Sequence, residues 1–195
     1  LRNFMSHGTH VVSVCDVDQT RLMDAKAGVD EQNAKKGLNI ECVATTKYED
    51  IIARDDIDAV CIATPDHWHA IPTVAALRSG KDVYCEKPLT HNIFEAVTVI
   101  DEVKKNGRVL QTGSMQRSSK EFRVACELVR NGVIGEIERV ECSFGDPGRP
   151  CDLPEEQMEP GLDWERWLGP APKRPYNSIL SPRGLHNNFP RWRNY

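Results

Sequence analysis

The chain has 195 residues, 39% of them hydrophobic and 28% charged, an ordinary soluble composition with enough apolar content for a buried core. A net charge of -4 leaves no basic footprint for nucleic acid, and no stretch approaches the ~20 apolar residues of a membrane helix, so neither a nucleic acid nor a membrane is an expected partner. Seven cysteines, an odd number with no CxxC, argue against a disulfide framework or a structural zinc site. They read as small buried hydrophobes, and reduced thiols point to the cytoplasm, with a periplasmic home left open because an export signal would precede Leu1.

In chain order, LRNFMSHG has the look of a last helical turn closing at Gly8. His10 to Asp16 follows as a strand ending in a carboxylate, and Asp18 is placed to cap a helix carrying Leu22, Met23 and Val29. Ile40 to Ala44 reads as a further strand and Tyr48 to Ile52 as a helical turn. Asp58 to Ala63 is a short β-branched apolar run stopped by Thr64-Pro65-Asp66. Pro72 fits the first turn of a helix that ends at Gly80, and Lys81 to Cys85 is the next strand. This is a βαβ unit, which requires a parallel strand pair, and ligands bind beyond the carboxyl ends of such strands. Those ends carry Thr64-Pro65 and Glu86-Lys87-Pro88.

Asn92 with Glu95 resembles a capping box for a helix whose packed face is Phe94, Val97, Ile100 and Val103, closed at Gly107. Arg108 to Thr112 is another strand. Residues 119 to 131 form a helix with Phe122, Ala125, Cys126, Leu128 and Val129 inward, and Glu136 to Phe144 reads as a strand. Nine of the twelve prolines lie at or after position 147, so the remainder is expected to be mostly loop, with a short helix over Asp163 to Leu168. Trp164, Trp167 and Trp192 read as core residues.

TPDHWH after one strand, CEKP after the next, and VLQTGSMQR at the end of another strand together resemble the Gfo/Idh/MocA oxidoreductases, which use NAD(P) on sugars, inositols and related polyols. The resemblance runs on through DWERWLGPAP to Tyr195. It implies an α/β fold: a Rossmann-type parallel sheet, lacking its first strand, followed by the start of an α+β domain with a mostly antiparallel sheet. The corresponding domains are 1–117, binding the dinucleotide, and 118–195, beginning a substrate-binding and oligomerisation domain. NAD is the expected cofactor rather than NADP, because Asp16 would accept hydrogen bonds from the adenine-ribose hydroxyls and repel a 2′-phosphate. A sugar or polyol substrate and a homo-oligomer are the implied partners.

By that resemblance Lys87 is the catalytic residue. Its ammonium would hydrogen-bond the reacting hydroxyl and favour loss of its proton, with Glu86 orienting it. Thr64, Pro65, His67 and His69 would shape the nicotinamide pocket with Glu86 and Lys87, while Gln116 and Arg117 would bind the polyol beside Lys87. His67 and His69, two apart, also invite a metal, but no third ligand can be named. The Lys87–Pro88 bond is open to either isomer, cis or trans.

The glycine-rich GxGxxG turn does not occur in these residues, so no phosphate-binding residue is assigned. None of the six histidines has an aspartate four residues before it, so the family's Asp/His pair is expected beyond Tyr195, and the 195 residues alone are expected to be inactive. Without the first Rossmann strand, the strands at His10 to Asp16 and Asp58 to Ala63 should face each other without a shared ladder, leaving unpaired edges that favour instability or aggregation. Two other functions share the fold: a glycosidase that uses tightly held NAD for transient oxidation, and a sugar or dinucleotide sensor without turnover.

Overall fold

A computed structural model describes residues 2–186 and 189–195. The elements are α1 Arg2–Ser6, β1 Ser13–Cys15, α2 Gln19–Lys35, β2 Val43–Thr45, α3 Tyr48–Ile52, β3 Ala59–Ile62, α4 Ala70–Arg78, β4 Asp82–Glu86, α5 Ile93–Asn106, β5 Leu110–Gly113, α6 Lys120–Arg130, α7 Trp164–Leu168, β6 Leu185–His186 and β7 Phe189–Pro190. The chain forms two compact units, one of residues 1–112 with 158–174 and the other of 113–157 with 175–195.

The first unit is α/β with parallel pairing. β1 pairs with β2 in the register Ser13↔Val43 to Cys15↔Thr45, and β3 pairs with β4 from Ala59↔Asp82 to Ile62↔Cys85. β5 lies on the far side of β4, and among the described residues no ladder joins β1 to β3, as the expected strand order requires. Each pair gathers its own core. Met5, Val14, Leu22, Val29 and Cys42 pack under the first, and Ile62, Ala76, Leu77, Val83 and Cys85 under the second.

The helix boundaries follow from their caps. Asp18 accepts from the Thr20 and Arg21 amides at the start of α2, and Asn92 accepts from the Glu95 amide at 2.9 Å while Glu95 returns to the His91 amide at 2.7 Å. Gly107 closes α5 with φ +59, a left-handed conformation in which a side chain would be strained. Lys81 is only 4% exposed: its ammonium donates to the carbonyls of Arg54 (2.5 Å) and Ile57 (2.9 Å), fixing the segment after α3 to the start of β4.

Several expectations about packing are corrected. α5 buries Val99 and part of Val103, whereas Phe94, Val97 and Ile100 are exposed, because α5 meets α4 through the other side of its apolar arc. Met23 on α2 is exposed as well. Cys42 and Cys85 are buried, but Cys15 and Cys61 lie exposed on β1 and β3, the two strands that share no ladder.

In the second unit α6 forms where expected, but its residues, Phe122, Leu128 and Val129 among them, are exposed. Residues 136–144 form no strand: nothing among the described residues pairs with them, and a backbone without a ladder gains nothing from the extended state. The antiparallel pairing in this unit is the short β6–β7 pair. Tyr176 and Asn177 are buried there, with Asn177 donating to the Pro154 carbonyl and the Glu156 carboxylate.

Candidate functional site

The two carboxyl ends of the βαβ unit are brought together by a side chain from the turn between them. After β3 the chain passes through Thr64 and Pro65 into a single 3₁₀ turn, Asp66–Trp68, closed by the Trp68 amide on the Pro65 carbonyl at 2.9 Å. His69 opens α4 directly from that turn and is 1% exposed. Its Nε2 lies 2.8 Å from the Thr64 carbonyl oxygen and its Nδ1 lies 2.5 Å from the Pro88 carbonyl oxygen. One imidazole therefore spans the turn after β3 and the turn after β4, with both ring nitrogens against main-chain oxygens.

Lys87 leaves β4 exposed, and the Lys87–Pro88 bond is cis. Glu86 is half-buried and folded back on its own strand end, where its carboxylate accepts from the Lys87 amide at 3.2 Å and from the Tyr84 hydroxyl at 3.4 Å. The carboxylate thus contacts the backbone of Lys87, and orients that residue through its main chain. Thr64 is exposed and Pro65 half-buried.

Asp16 stands directly beyond β1. Its Oδ1 accepts from the Asp18 amide at 2.9 Å, which fixes the carboxylate at the strand end. Burial is the largest influence on this acid and raises its pKa above the usual range, against the lowering effect of the amide hydrogen bond. A fixed acidic acceptor at the end of the second Rossmann strand fits the ribose of a dinucleotide. Cys15 is exposed at its surface, but the protein packed around its sulfur and the Asp16 charge push the thiol up to about 11, which favours the protonated form.

Residues 158–174 return to the first unit beside these strand ends. The Gln19 amide donates to the Gly161 carbonyl at 2.9 Å and the Asp163 amide to the Val17 carbonyl at 3.0 Å, so this segment lies along the chain leaving β1. Asp163 then caps α7 by accepting from the Arg166 amide. α7 also meets the turn after β3. The Trp68 indole N–H is shared between the Arg166 and Trp167 carbonyls, both at 3.0 Å, and His67 Nε2 lies 2.9 Å from the Trp167 carbonyl. His67 packs edge-on to the Trp167 ring at 5.4 Å, and Trp164 stacks on Trp167 at 4.8 Å with the planes 7° apart. Trp164 and Trp167 are buried core residues as expected; Trp192, in the second unit, is half-buried with Arg193 over its ring at 5.1 Å. The Arg166 guanidinium pairs with Glu49 on α3 at 2.5 Å.

With the Trp167 carbonyl as its partner, His67 Nε2 carries the hydrogen, and burial lowers the pKa of this histidine, favouring the neutral ring. His67 Nε2 and both ring nitrogens of His69 thus lie against main-chain carbonyl oxygens. Among the described residues no group of three or more His, Cys, Asp or Glu is placed to bind a metal ion. Gln116 and Arg117 belong to the second unit, exposed on a 3₁₀ turn over Met115–Ser118.

Residues 1–114 match the family model described as "Oxidoreductase family, NAD-binding Rossmann fold". Among curated relatives, the inositol 2-dehydrogenase 3 of Saccharopolyspora erythraea is 30% identical over 144 residues, 73% of this chain and 39% of the relative. A glycosyl hydrolase family 109 protein of Shewanella putrefaciens is 28% identical over 137 residues, 70% of this chain and 30% of the relative. The crystal structure of myo-inositol 2-dehydrogenase from Lactobacillus plantarum superposes with a TM-score of 0.54 at 32% identity, covering 67% of this chain and 36% of that one. The chain thus aligns with about a third of the length of these relatives.

Proposed function

We propose that this chain, which belongs to the Gfo/Idh/MocA oxidoreductase family, carries the cofactor side of an enzyme that moves a hydride between NAD and a secondary alcohol of a sugar, inositol or related polyol. The observation that carries this reading is the joining of two parallel-strand ends by one imidazole. His69 reaches the carbonyls of both Thr64 and Pro88, which keeps Lys87 close to the Thr64-Pro65 turn at the edge where open parallel sheets bind ligands. A bound nicotinamide would supply the hydride acceptor or donor. Lys87 would donate a hydrogen bond from its ammonium to the reacting oxygen and so favour loss of the hydroxyl proton, while Glu86 steadies its main chain. Thr64 and Pro65 would face the cofactor through their backbone. His67 and His69 would shape the pocket from behind by fixing that turn.

Asp16 would bind the adenine-ribose hydroxyls, and its negative charge favours NAD over a cofactor bearing a 2′-phosphate. Gln116 and Arg117 supply exposed donors and acceptors of the kind a polyol requires. We propose a dinucleotide-binding domain over residues 1–117 and a substrate-binding and oligomerisation domain over 118–195, although residues 158–174 pack with the first compact unit and 113–117 with the second. The exposed apolar residues of α5, Ile93, Phe94, Val97 and Ile100, support a homo-oligomer. All seven cysteines are free thiols, which supports a reducing compartment such as the cytoplasm. Among the described residues no helix is long and apolar enough to cross a membrane.

The relative named as a glycosyl hydrolase family 109 protein favours a second reading, in which NAD is recycled within each turnover of a glycosidase. Incubating the protein that carries this sequence with NAD and a panel of inositols, sugars and aryl glycosides separates the two. Net NADH formation with a free polyol supports the dehydrogenase, and glycoside cleavage without net NADH supports the glycosidase. Neither activity across the panel, with NAD bound, would leave the chain a binding protein.

A further inference from the structure

We propose that Arg166 is a further cofactor-binding residue, presenting its guanidinium plane to the adenine ring of the dinucleotide whose ribose Asp16 holds in the reading above, on which this assignment rests. The Asp163 amide on the Val17 carbonyl (3.0 Å) and the Gln19 amide on the Gly161 carbonyl (2.9 Å) lay the approach to α7 along the chain that leaves β1 beside Asp16. The Arg166 amide donates to the Asp163 carboxylate at 2.9 Å, and its carbonyl accepts from the Trp68 indole at 3.0 Å, so its main chain is held from both sides. From there the side chain crosses to the first turn of α3, where it meets the Glu49 carboxylate at 2.5 Å.

That turn is itself tied to the end of β2. The Thr45 hydroxyl donates to the Asp50 carboxylate at 2.6 Å, and α3 lies against both β1 and β2. Cys15 is opposite Thr45 in the β1–β2 ladder, and the Asp16 amide donates to the Thr45 carbonyl at 3.4 Å. The guanidinium is therefore fixed at the carboxyl edge of β1 and β2, the edge where a dinucleotide lies in a Rossmann sheet, with Asp16 marking its adenine-ribose end. The Cys15 thiol feels the charges of Asp16, Arg166, Glu49 and Asp50, in keeping with one shared strand end.

Charge and shape decide which part of the ligand the cation meets. Of the charges felt at Cys15 and Asp16, four are carboxylates (Asp16, Asp18, Glu49 and Asp50) and two are guanidiniums (Arg166 and Arg21). A phosphate would enter a surplus of negative charge and be repelled. The ribose hydroxyls have Asp16 as their acceptor. What Arg166 has left to offer is the face of its plane, since the ion pair engages an edge and 27% of the side chain stays exposed. Stacking of that planar face on an aromatic ring is a property of arginine that lysine lacks. The bland alternative is an ion pair that only docks α7 on α3.

Calorimetric titration of the whole protein with 5′-AMP and, separately, with nicotinamide mononucleotide tests the assignment. Arg166→Met removes the guanidinium, whereas Glu49→Gln breaks the ion pair and leaves the guanidinium in place. Arg166→Met should weaken 5′-AMP binding about threefold or more, the worth of a cation–π contact, and leave nicotinamide mononucleotide binding unchanged. Glu49→Gln should weaken 5′-AMP binding less. Unchanged 5′-AMP affinity in Arg166→Met, equal losses for both probes, or equal losses in the two variants would overturn the role of Arg166 and leave the cofactor reading standing. If Arg166→Met does not fold, Arg166→Lys, which keeps the charge and loses the plane, takes its place with the same expectations. A parent protein that binds neither probe would overturn the cofactor reading, and Arg166 with it.

Discussion

Replacing Gly169 by alanine should unseat α7 from the turn after β3. Gly169 ends that helix with φ +48 and ψ -114, a backbone region close to glycine's own, and a β-carbon there would lie 2.1 Å from Trp68 Cζ2 and 2.3 Å from Cε2. The indole cannot simply swing away. Its N–H is held by the Arg166 and Trp167 carbonyls and its ring packs edge-on against Tyr48 at 6.0 Å. The unfavourable backbone conformation costs ~1–3 kcal/mol, forced repacking ~1–3 kcal/mol and the lost indole hydrogen bond ~1 kcal/mol. A loss of about 3–7 kcal/mol is therefore expected, a large part of the ~5–15 kcal/mol that holds an ordinary domain. Urea denaturation followed by tryptophan fluorescence would measure it, with Gly28→Ala as the control. Gly28 lies within α2 with open space around it, so alanine there should be neutral or stabilising by up to ~1 kcal/mol. If Gly169→Ala loses less than ~1 kcal/mol, the docking of α7 on Trp68 is not as described.

Lys81→Met should cost ~1–3 kcal/mol in chemical denaturation, because it strips the Arg54 and Ile57 carbonyls of their shared donor; an unchanged midpoint would refute the tie. Asn92→Ala should cost ~1 kcal/mol by removing the acceptor for the Glu95 amide, and should raise hydrogen exchange in the first turn of α5 alone; exchange spread over the whole helix would contradict the cap as the cause. Asp16→Asn should weaken NAD binding about tenfold or more by calorimetry while improving the relative affinity for NADP, since it removes a charged acceptor. Because burial raises the pKa of Asp16, its carboxylate form is lost as pH falls at a higher pH than for a free aspartate near ~3.9. NAD affinity should weaken from that point downward, and a flat acid limb would separate Asp16 from the ribose.

Where local chemistry decides an element, the sequence was legible. Asp18, Asn92 with Glu95, and Gly107 each act on their own helix within a turn, and the two strands flanking α4 are bounded by Thr64-Pro65 and Glu86-Lys87-Pro88. The choice of face was harder. α5 has apolar residues over a wide arc, and its period does not say which side meets α4; Val99 is buried while Phe94 is not. Residues 136–144 have strand-like content, but a strand needs a neighbour and none lies beside them among the described residues.

The least legible part is the one that builds the site. His67 and Trp68 find their partners about a hundred residues away at Arg166 and Trp167, and a histidine pair with ligand-like spacing proves to bind main-chain oxygens instead. The proline-rich composition after position 147 spoke for loops, and it concealed that residues 158–174 return to the first unit. A tight Trp-Leu-Gly at the end of a predicted short helix was the available hint, since a positive-φ glycine there admits the Trp68 ring.

The central claim, that Lys87 at the end of β4 handles the proton of the reacting alcohol, is tested most directly by Lys87→Ala in the protein that carries this sequence. Lys87 is exposed, so its side chain can be removed without opening the core, and circular dichroism and NAD affinity should stay close to the parent's. Turnover with the polyol that gives NADH should fall more than tenfold, in line with the ~10²–10⁴-fold worth of a positioned acid–base group. Turnover equal to the parent's, in a variant that folds and binds NAD, would contradict the account.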